Sequence, residues 1–236
     1  MSEDTLGSVR ERIDTLDSEI HRLLNERAEC ALEVARVKLE SDPDAFFYRP
    51  EREAQVLRLV KERNQGPLSD ETVARLFREI MSSCLALEKP LEVAYLGPEG
   101  TFTQAAAIKH FGHAVMTLPV GSISDIFREV EAGACQYGVV PVENSTEGVI
   151  THTLDMFMSS PLRICGEVML RIHHHLLSGA SEMSAINKVY SHQQSLAQCQ
   201  AWLDRHLPYA ERVSVGSNAE AARLAAAEGD GVAAIA

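Results

Sequence analysis

The stretch VAYLGPEGTFTQAAAIKHFG, Val93 to Gly112, decides how the chain is read. Apolar and aromatic residues run into Gly97, Pro98, Glu99 and Gly100, after which Thr101 and Thr103 open a helical pattern. A strand, a glycine-bearing turn and a helix start in that order bring free backbone N–H groups and the positive end of a helix dipole to one point, where an anion is held. Just upstream, Lys89, Pro90 and Leu91 mark a switch of hydrophobic period from helical to alternating. A domain boundary is expected there, giving residues 1–90 and 91–236.

Upstream of the switch nearly everything reads as helix. Val9, Ile13, Leu16, Ile20, Leu23, Leu24, Ala31, Leu32 and Ala35 recur three and four residues apart, which predicts a long first helix from about Thr5 to Leu39 with one apolar stripe. A helix that long needs a partner. SDPDAFFYRP (Ser41 to Pro50) breaks it, Pro50 suits the first turn of a second helix, and Ser69 or Asp70 can cap a third. Downstream, short apolar runs alternate with helical stretches, which indicates an α/β layered domain. RICGEVMLRIHHHLLSG reads as one of those apolar runs, Ser195 to Arg205 as a single helix, and GVAAIA as a buried strand expected to leave an unpaired edge. The expected fold class is α + α/β.

Composition narrows the function. The chain has 236 residues, 45% hydrophobic and 24% charged, enough for a real core. A net charge of -12 argues against nucleic acid or an anionic membrane as the main partner, because both reward clustered Lys and Arg. No apolar run approaches the roughly 20 residues needed to cross a bilayer, and MSEDTLGSVRERID is too charged for a signal peptide. A cytoplasmic location is expected. The five cysteines are widely spaced without a CxxC pair, and read as free thiols. The turn after Leu96 lacks both the lysine of a phosphate-binding P-loop and the G-x-G-x-x-G spacing of a dinucleotide site, so its anion is expected to be a substrate carboxylate.

In the helical part, Arg27 and Lys38 stand eleven positions apart, which returns them to within about 20° of one face and roughly 16 Å apart along the axis. Arg10 lies about 100° away from Arg27 on the same wheel. One helix cannot converge all three on a small ligand, but a helix paired with a copy of itself can. The stretches VRERIDTLDSEIHRLLNERAECALEVARVK, YRPEREAQVL and RLFREIMSSCLALE, in this order, resemble the all-helical chorismate mutases that form intertwined dimers. The resemblance implies a homodimer whose site takes chorismate. Arg10 from a second copy and Arg27 would grip the two carboxylates, Lys38 and Glu88 would donate to the ether oxygen, and Arg52 with Glu53 would complete binding of the carboxylate and ring hydroxyl. Glu88 stands where the family often has glutamine and must be protonated to donate, its pKa raised by burial. Cys84, where serine is usual, reads as a packing substitution, and the family's acidic residue near Arg49 is missing, which leaves one contact to the substrate hydroxyl unassigned.

In the α/β part, GPEGTFTQAA resembles the first motif of the prephenate dehydratases, G-P-x-G-T-[FY]-[ST]-x-x-A. YGVVPVENSTEGVI, GEVMLRIHHHL, KVYSHQQSLAQCQAWL and SNAEAARLAA extend that resemblance to the end of the chain. The two parts together have the layout of the bifunctional chorismate mutase/prephenate dehydratases of phenylalanine biosynthesis. This resemblance implies a two-lobed domain around a cleft, with Asn144, Ser191 and Gln198 as active-site residues and the Thr101 turn supplying donors to prephenate. Glu143, Ser145 and Thr146 share the turn with Asn144. Neither reaction calls for a metal or cofactor. His173, His174 and His175 look like a metal cluster, but consecutive residues on a strand point to alternate faces. His192 reads as a supporting residue rather than the acid, and Gln193 stands where proline is usual. The family's late Thr-Arg-Phe motif and its phenylalanine-binding ACT domain do not occur, so a C-terminally truncated dehydratase is expected.

Two other readings stay open. In one, only the mutase is active and residues 91–236 are a partial scaffold. In the other, the two-lobed part is a non-catalytic ligand-binding module, since fold alone does not fix function.

Overall fold

The computed structural model describes residues 3–42, 45–144 and 148–236. The chain divides into two compact units, Met1–Leu91 together with Phe111–Met116, and Glu92–His110 together with Thr117–Ala236.

The first unit is built on three helices. Helix α1, Glu3–Ser41, runs unbroken through 39 residues, about 58 Å at 1.5 Å per residue. Helix α2, Pro50–Arg63, starts on a proline, whose missing N–H costs nothing in a first turn. Helix α3, Asp70–Glu88, is capped by Ser69, whose side chain accepts from the Thr72 N–H at 3.2 Å. Both α1 and α2 pack on α3. On these helices the small side chains of Ala35, Ala74, Ser82 and Cys84 are buried. Yet Val9, Ile13, Leu16, Ile20, Leu23 and Leu24 on α1 remain 38–54% exposed, so much of the predicted stripe is uncovered in the single chain.

Phe111–Met116 belongs with this unit. The Phe111 ring lies 5.5 Å from that of Tyr48. The Glu79 carboxylate accepts from the His113 backbone N–H at 3.0 Å and lies 2.9 Å from His113 Nδ1. Gly112 is required twice over. Its φ is +83°, and a Cβ there would stand 2.4 Å from Ser82 Cβ.

The second unit holds two main sheets. Strand β1, Glu92–Leu96, is followed by helix α4, Phe102–Phe111, strand β2, Met116–Val120, helix α5, Ile123–Glu131, and strand β3, Tyr137–Val139. These strands order as β2-β1-β3, with β1 and β3 parallel. Ala94, Ile126 and Cys135 are buried together beneath α5, with Leu96, Val120, Val130 and Val140 around them. A two-stranded hairpin comes next, β4, Glu143–Asn144, against β5, Gly148–Val149, and then helix α6, Thr151–Ser159.

The other sheet begins with β6, Leu176–Ser178, and after a 3-10 turn at Met183–Ala185 continues with β7, Lys188–His192. Helices α7, Gln193–Gln198, and α8, Gln200–His206, lead to β8, Glu211–Val215, helix α9, Asn218–Glu228, and β9, Val232–Ile235. The order is β6-β9-β7-β8, parallel except where β6 runs against β9. Helix α9 covers β7 and β9 on one face, burying Ala221 and Ala225 with Tyr190, Val232 and Ala234. Val189, Leu203, Leu207, Ala233 and Ile235 form the second packed group.

Three expectations from the sequence are overturned. GVAAIA is no edge, because β9 is paired on both sides, by β6 and by β7, and all four of its residues are buried. The long apolar run before Ser178 is strand only over Leu176–Ser178. Just before it, His175 and Ala236 exchange backbone hydrogen bonds at 2.7 and 3.0 Å. The helix expected from Ser195 to Arg205 is two helices, because Cys199 leaves the helical region at φ -94°, ψ 3°.

Candidate active sites

In the first unit, the facing sides of α1 and α3 bring three of the expected residues together. Arg27 donates from a terminal guanidinium nitrogen to Cys84 Sγ at 2.9 Å, which gives the supposed packing cysteine a second contact. Lys38 Nζ lies 5.2 Å from the centre of the Phe47 ring and 3.5 Å from the Phe47 carbonyl oxygen, so the loop before α2 fixes the ammonium. Burial pushes the Glu88 carboxyl above its ordinary range, even though Lys38 and Arg27 both pull it down. When protonated, this half-buried carboxyl is able to donate a hydrogen bond.

The other expected residues are placed differently. Arg52 is exposed on α2 and donates to Gln55 at 2.6 Å along its own helix. Glu53 is held by Arg78 of α3 at 3.3 Å. Arg10 is exposed on α1 and 17 positions from Arg27, about 25 Å along the axis, so the two do not meet within one chain.

In the second unit the polar groups are short and tightly tied. Ser191, fully buried at the C-terminal end of β7, has its hydroxyl 2.9 Å from both Asn218 Oδ1 and the Ile235 carbonyl oxygen. Asn218 Oδ1 also accepts from the His192 backbone N–H at 3.1 Å, and its Nδ2 donates to Ser195 Oγ at 2.9 Å. One asparagine thereby links the ends of β7, α7 and α9. Gln198, at the end of α7, meets His174 Nε2 through Oε1 at 2.6 Å. In the turn after β1, the hydroxyls of Thr101 and Thr103 both donate to the Leu96 carbonyl oxygen, at 3.0 and 2.7 Å. That turn reaches the same region. Gly100 has a φ of +84°, and a Cβ there would touch Ala219 Cβ at 3.4 Å, next in the chain to Asn218. Asn144 is half-buried on β4, opposite Gly148; Ser145 and Thr146 lie outside the described residues.

Several residues escaped sequence reasoning. Asn218 carried no signal beyond its place at a helix start; Ser217 caps that helix by accepting from the Glu220 N–H at 3.1 Å, and Asn218 is left to bind Ser191 and Ser195. Arg78 carried no signal beyond its charge. Tyr95 read as an apolar strand residue; it is fully buried, and its hydroxyl has no partner among the described residues. Burial, followed by the charge of Glu99, pushes that phenol up. Among the described residues, no group of three histidines, cysteines or carboxylates could hold a metal. No helix among them is long and apolar enough to cross a membrane.

Known proteins match both units. The prephenate dehydratase family matches residues 93–236, and the type II chorismate mutase family matches residues 9–89. The chain is 62% identical over 233 residues to a bifunctional chorismate mutase/prephenate dehydratase of Stutzerimonas stutzeri, covering 97% of this chain and 64% of that protein. It is 60% identical over 230 residues to the protein of the same name from Pseudomonas aeruginosa, covering 96% of this chain and 63% of the relative. The chain thus spans somewhat under two thirds of the length of these relatives. Among solved structures, the prephenate dehydratase of Staphylococcus aureus subsp. aureus Mu50 superposes with a TM-score of 0.54 at 30% identity, over 62% of this chain and 54% of that one. With more than half of its length matched, the chain belongs to the prephenate dehydratase family, and its helical part matches the type II chorismate mutases.

Proposed function

We propose that this chain takes part in two consecutive steps of phenylalanine biosynthesis, the isomerisation of chorismate to prephenate in its helical unit and the lyase reaction from prephenate to phenylpyruvate in its α/β unit. The observation that carries the reading is the grouping of Arg27, Lys38 and Glu88, with the Glu88 carboxyl raised by burial. A rearrangement that breaks one C–O bond and forms one C–C bond needs a substrate held in its folded conformer and donors at the ether oxygen where negative charge develops. Arg27 suits a substrate carboxylate, while Lys38 and a protonated Glu88 suit that oxygen. Arg52 and Glu53 would complete the contacts once substrate displaces their present partners.

A second copy of the chain completes this site. The open stripe on α1 offers an apolar face to a twin helix, and the distance from Arg10 to Arg27 within one chain is bridged if Arg10 of a second copy enters. Five free cysteines suit a reducing compartment, which supports a cytoplasmic location for this homodimer.

In the α/β unit, prephenate loses its ring carboxylate as CO2; the electron pair released aromatises the ring and expels the hydroxyl group, which leaves as water once a proton is supplied. Ser191, Asn144 and Gln198 would bind and orient the substrate, and the N–H groups of the turn at Thr101 would receive a carboxylate. Following chorismate loss, and then phenylpyruvate formed from added prephenate, tests both halves. Loss of chorismate with phenylpyruvate formed supports the reading in full. Chorismate loss alone restricts it to the mutase, and no chorismate loss removes it in favour of a ligand-binding module.

A further inference from the structure

Of three consecutive histidines, the middle one is tied to Gln198, a residue expected in the dehydratase site. His173 and His175 are exposed, whereas His174 is half-buried and its Nε2 lies 2.6 Å from Gln198 Oε1. An amide oxygen only accepts, so the ring carries its proton on Nε2 and donates. Its other nitrogen, Nδ1, is buried with no partner among the described residues, so the ring's hydrogen bonding is confined to Gln198. Gln198 is three residues beyond Ser195 on α7, and side chains three apart share a helix face. Ser195 is bound to Asn218, which holds Ser191. His174 itself directly precedes His175, the residue paired with Ala236 next to the Ile235 carbonyl that receives Ser191.

We propose that His174 is a positioning residue for prephenate turnover, holding Gln198 Oε1 so that the two N–H donors of the same amide are turned to the substrate. The inference rests on the reading that Gln198 contacts prephenate. An amide free to rotate would present oxygen or nitrogen with similar ease; the imidazole donor at its oxygen removes that choice. Nothing else about the triple histidine is needed, and no metal enters.

The test is a cycle of variants measured as prephenate turnover. His174→Leu removes the donor and is expected to lower kcat/KM about ten-fold, the size of one lost hydrogen bond to a contacting group, with most of the loss in kcat. His174→Gln, which keeps an N–H at the same reach, recovers most of it. In a Gln198→Ala background, His174→Leu then costs less than about two-fold, because the group it positions is gone. A His174→Leu loss that persists undiminished in that background overturns the positioning role. Wild-type turnover by Gln198→Ala alone instead removes the reading of Gln198 as a prephenate contact, and the inference with it.

Discussion

The two units build polar sites in opposite ways. In the helical unit, long cationic side chains are strung along one 39-residue helix, half-exposed, and held by single contacts such as Arg27 to Cys84 and Lys38 to Phe47. In the α/β unit, short polar side chains sit at the ends of buried strands, cross-linked through one asparagine and backbone carbonyls. The first arrangement supplies charge and, in the proposed function, leaves geometry to be completed by substrate and a second copy. The second fixes geometry within one chain and supplies little charge. Each suits its proposed reaction, one driven by electrostatic stabilisation of a developing oxyanion and the other by aromatisation that needs a placed donor.

The contrast breaks first at Lys38. Lys38→Ala is expected to lower chorismate turnover on the order of 10²- to 10³-fold, the cost of one preorganised donor at a developing oxyanion, and to leave prephenate turnover unchanged; an equal loss in both assays would show that the units do not work separately. Next is Asn218→Ala, which unties Ser191, His192 and Ser195 at once. A destabilisation of about 2 kcal/mol is expected from buried groups left without partners, read as a lower urea midpoint for the α/β unit, with chorismate turnover preserved.

Glu88 sharpens the electrostatic side. Burial raises its carboxyl while Lys38 and Arg27 pull it down, and the proposed donor role requires the protonated form. Mutase activity is therefore full below the raised pKa and falls about ten-fold per pH unit above it. Glu88→Gln donates at any pH, so its profile is flat through the same range; superimposable profiles for the two proteins would refute the donor role. The smallest effect is expected at Ser69. Losing its cap on α3 costs about 1 kcal/mol, seen as a slightly lower melting temperature with both activities intact at 25 °C.

How much of this was legible in the sequence depends on the range of the interactions involved. The break before Pro50, the cap at Ser69 and the strand–turn–helix at Gly97 to Thr103 were readable because each is decided within a few residues. The neighbours of β9 were not. Its pairing with β6 joins Leu176 to Ile235, and nothing in the alternation of either segment names its partner. The same holds for the site. Arg27 and Lys38 are visible as a spacing on one helix, whereas Asn218 and His174 acquire meaning only when α9, α7 and β6 meet. Glu53 shows the remaining difficulty, since its partner Arg78 lies on another helix with no mark to distinguish it from other surface arginines.

The central claim is that the helical site is shared between two copies while the α/β site is contained in one. Co-expression of two differently tagged variants, followed by purification through both tags, isolates mixed dimers. A dimer of Arg10→Ala with Lys38→Ala retains one intact mutase site, so chorismate turnover should return to about half of the wild-type rate, far above either variant alone. A dimer of Ser191→Ala with Gln198→Ala should show no such recovery for prephenate. Failure of the first pair to recover, or recovery by the second, would contradict the account.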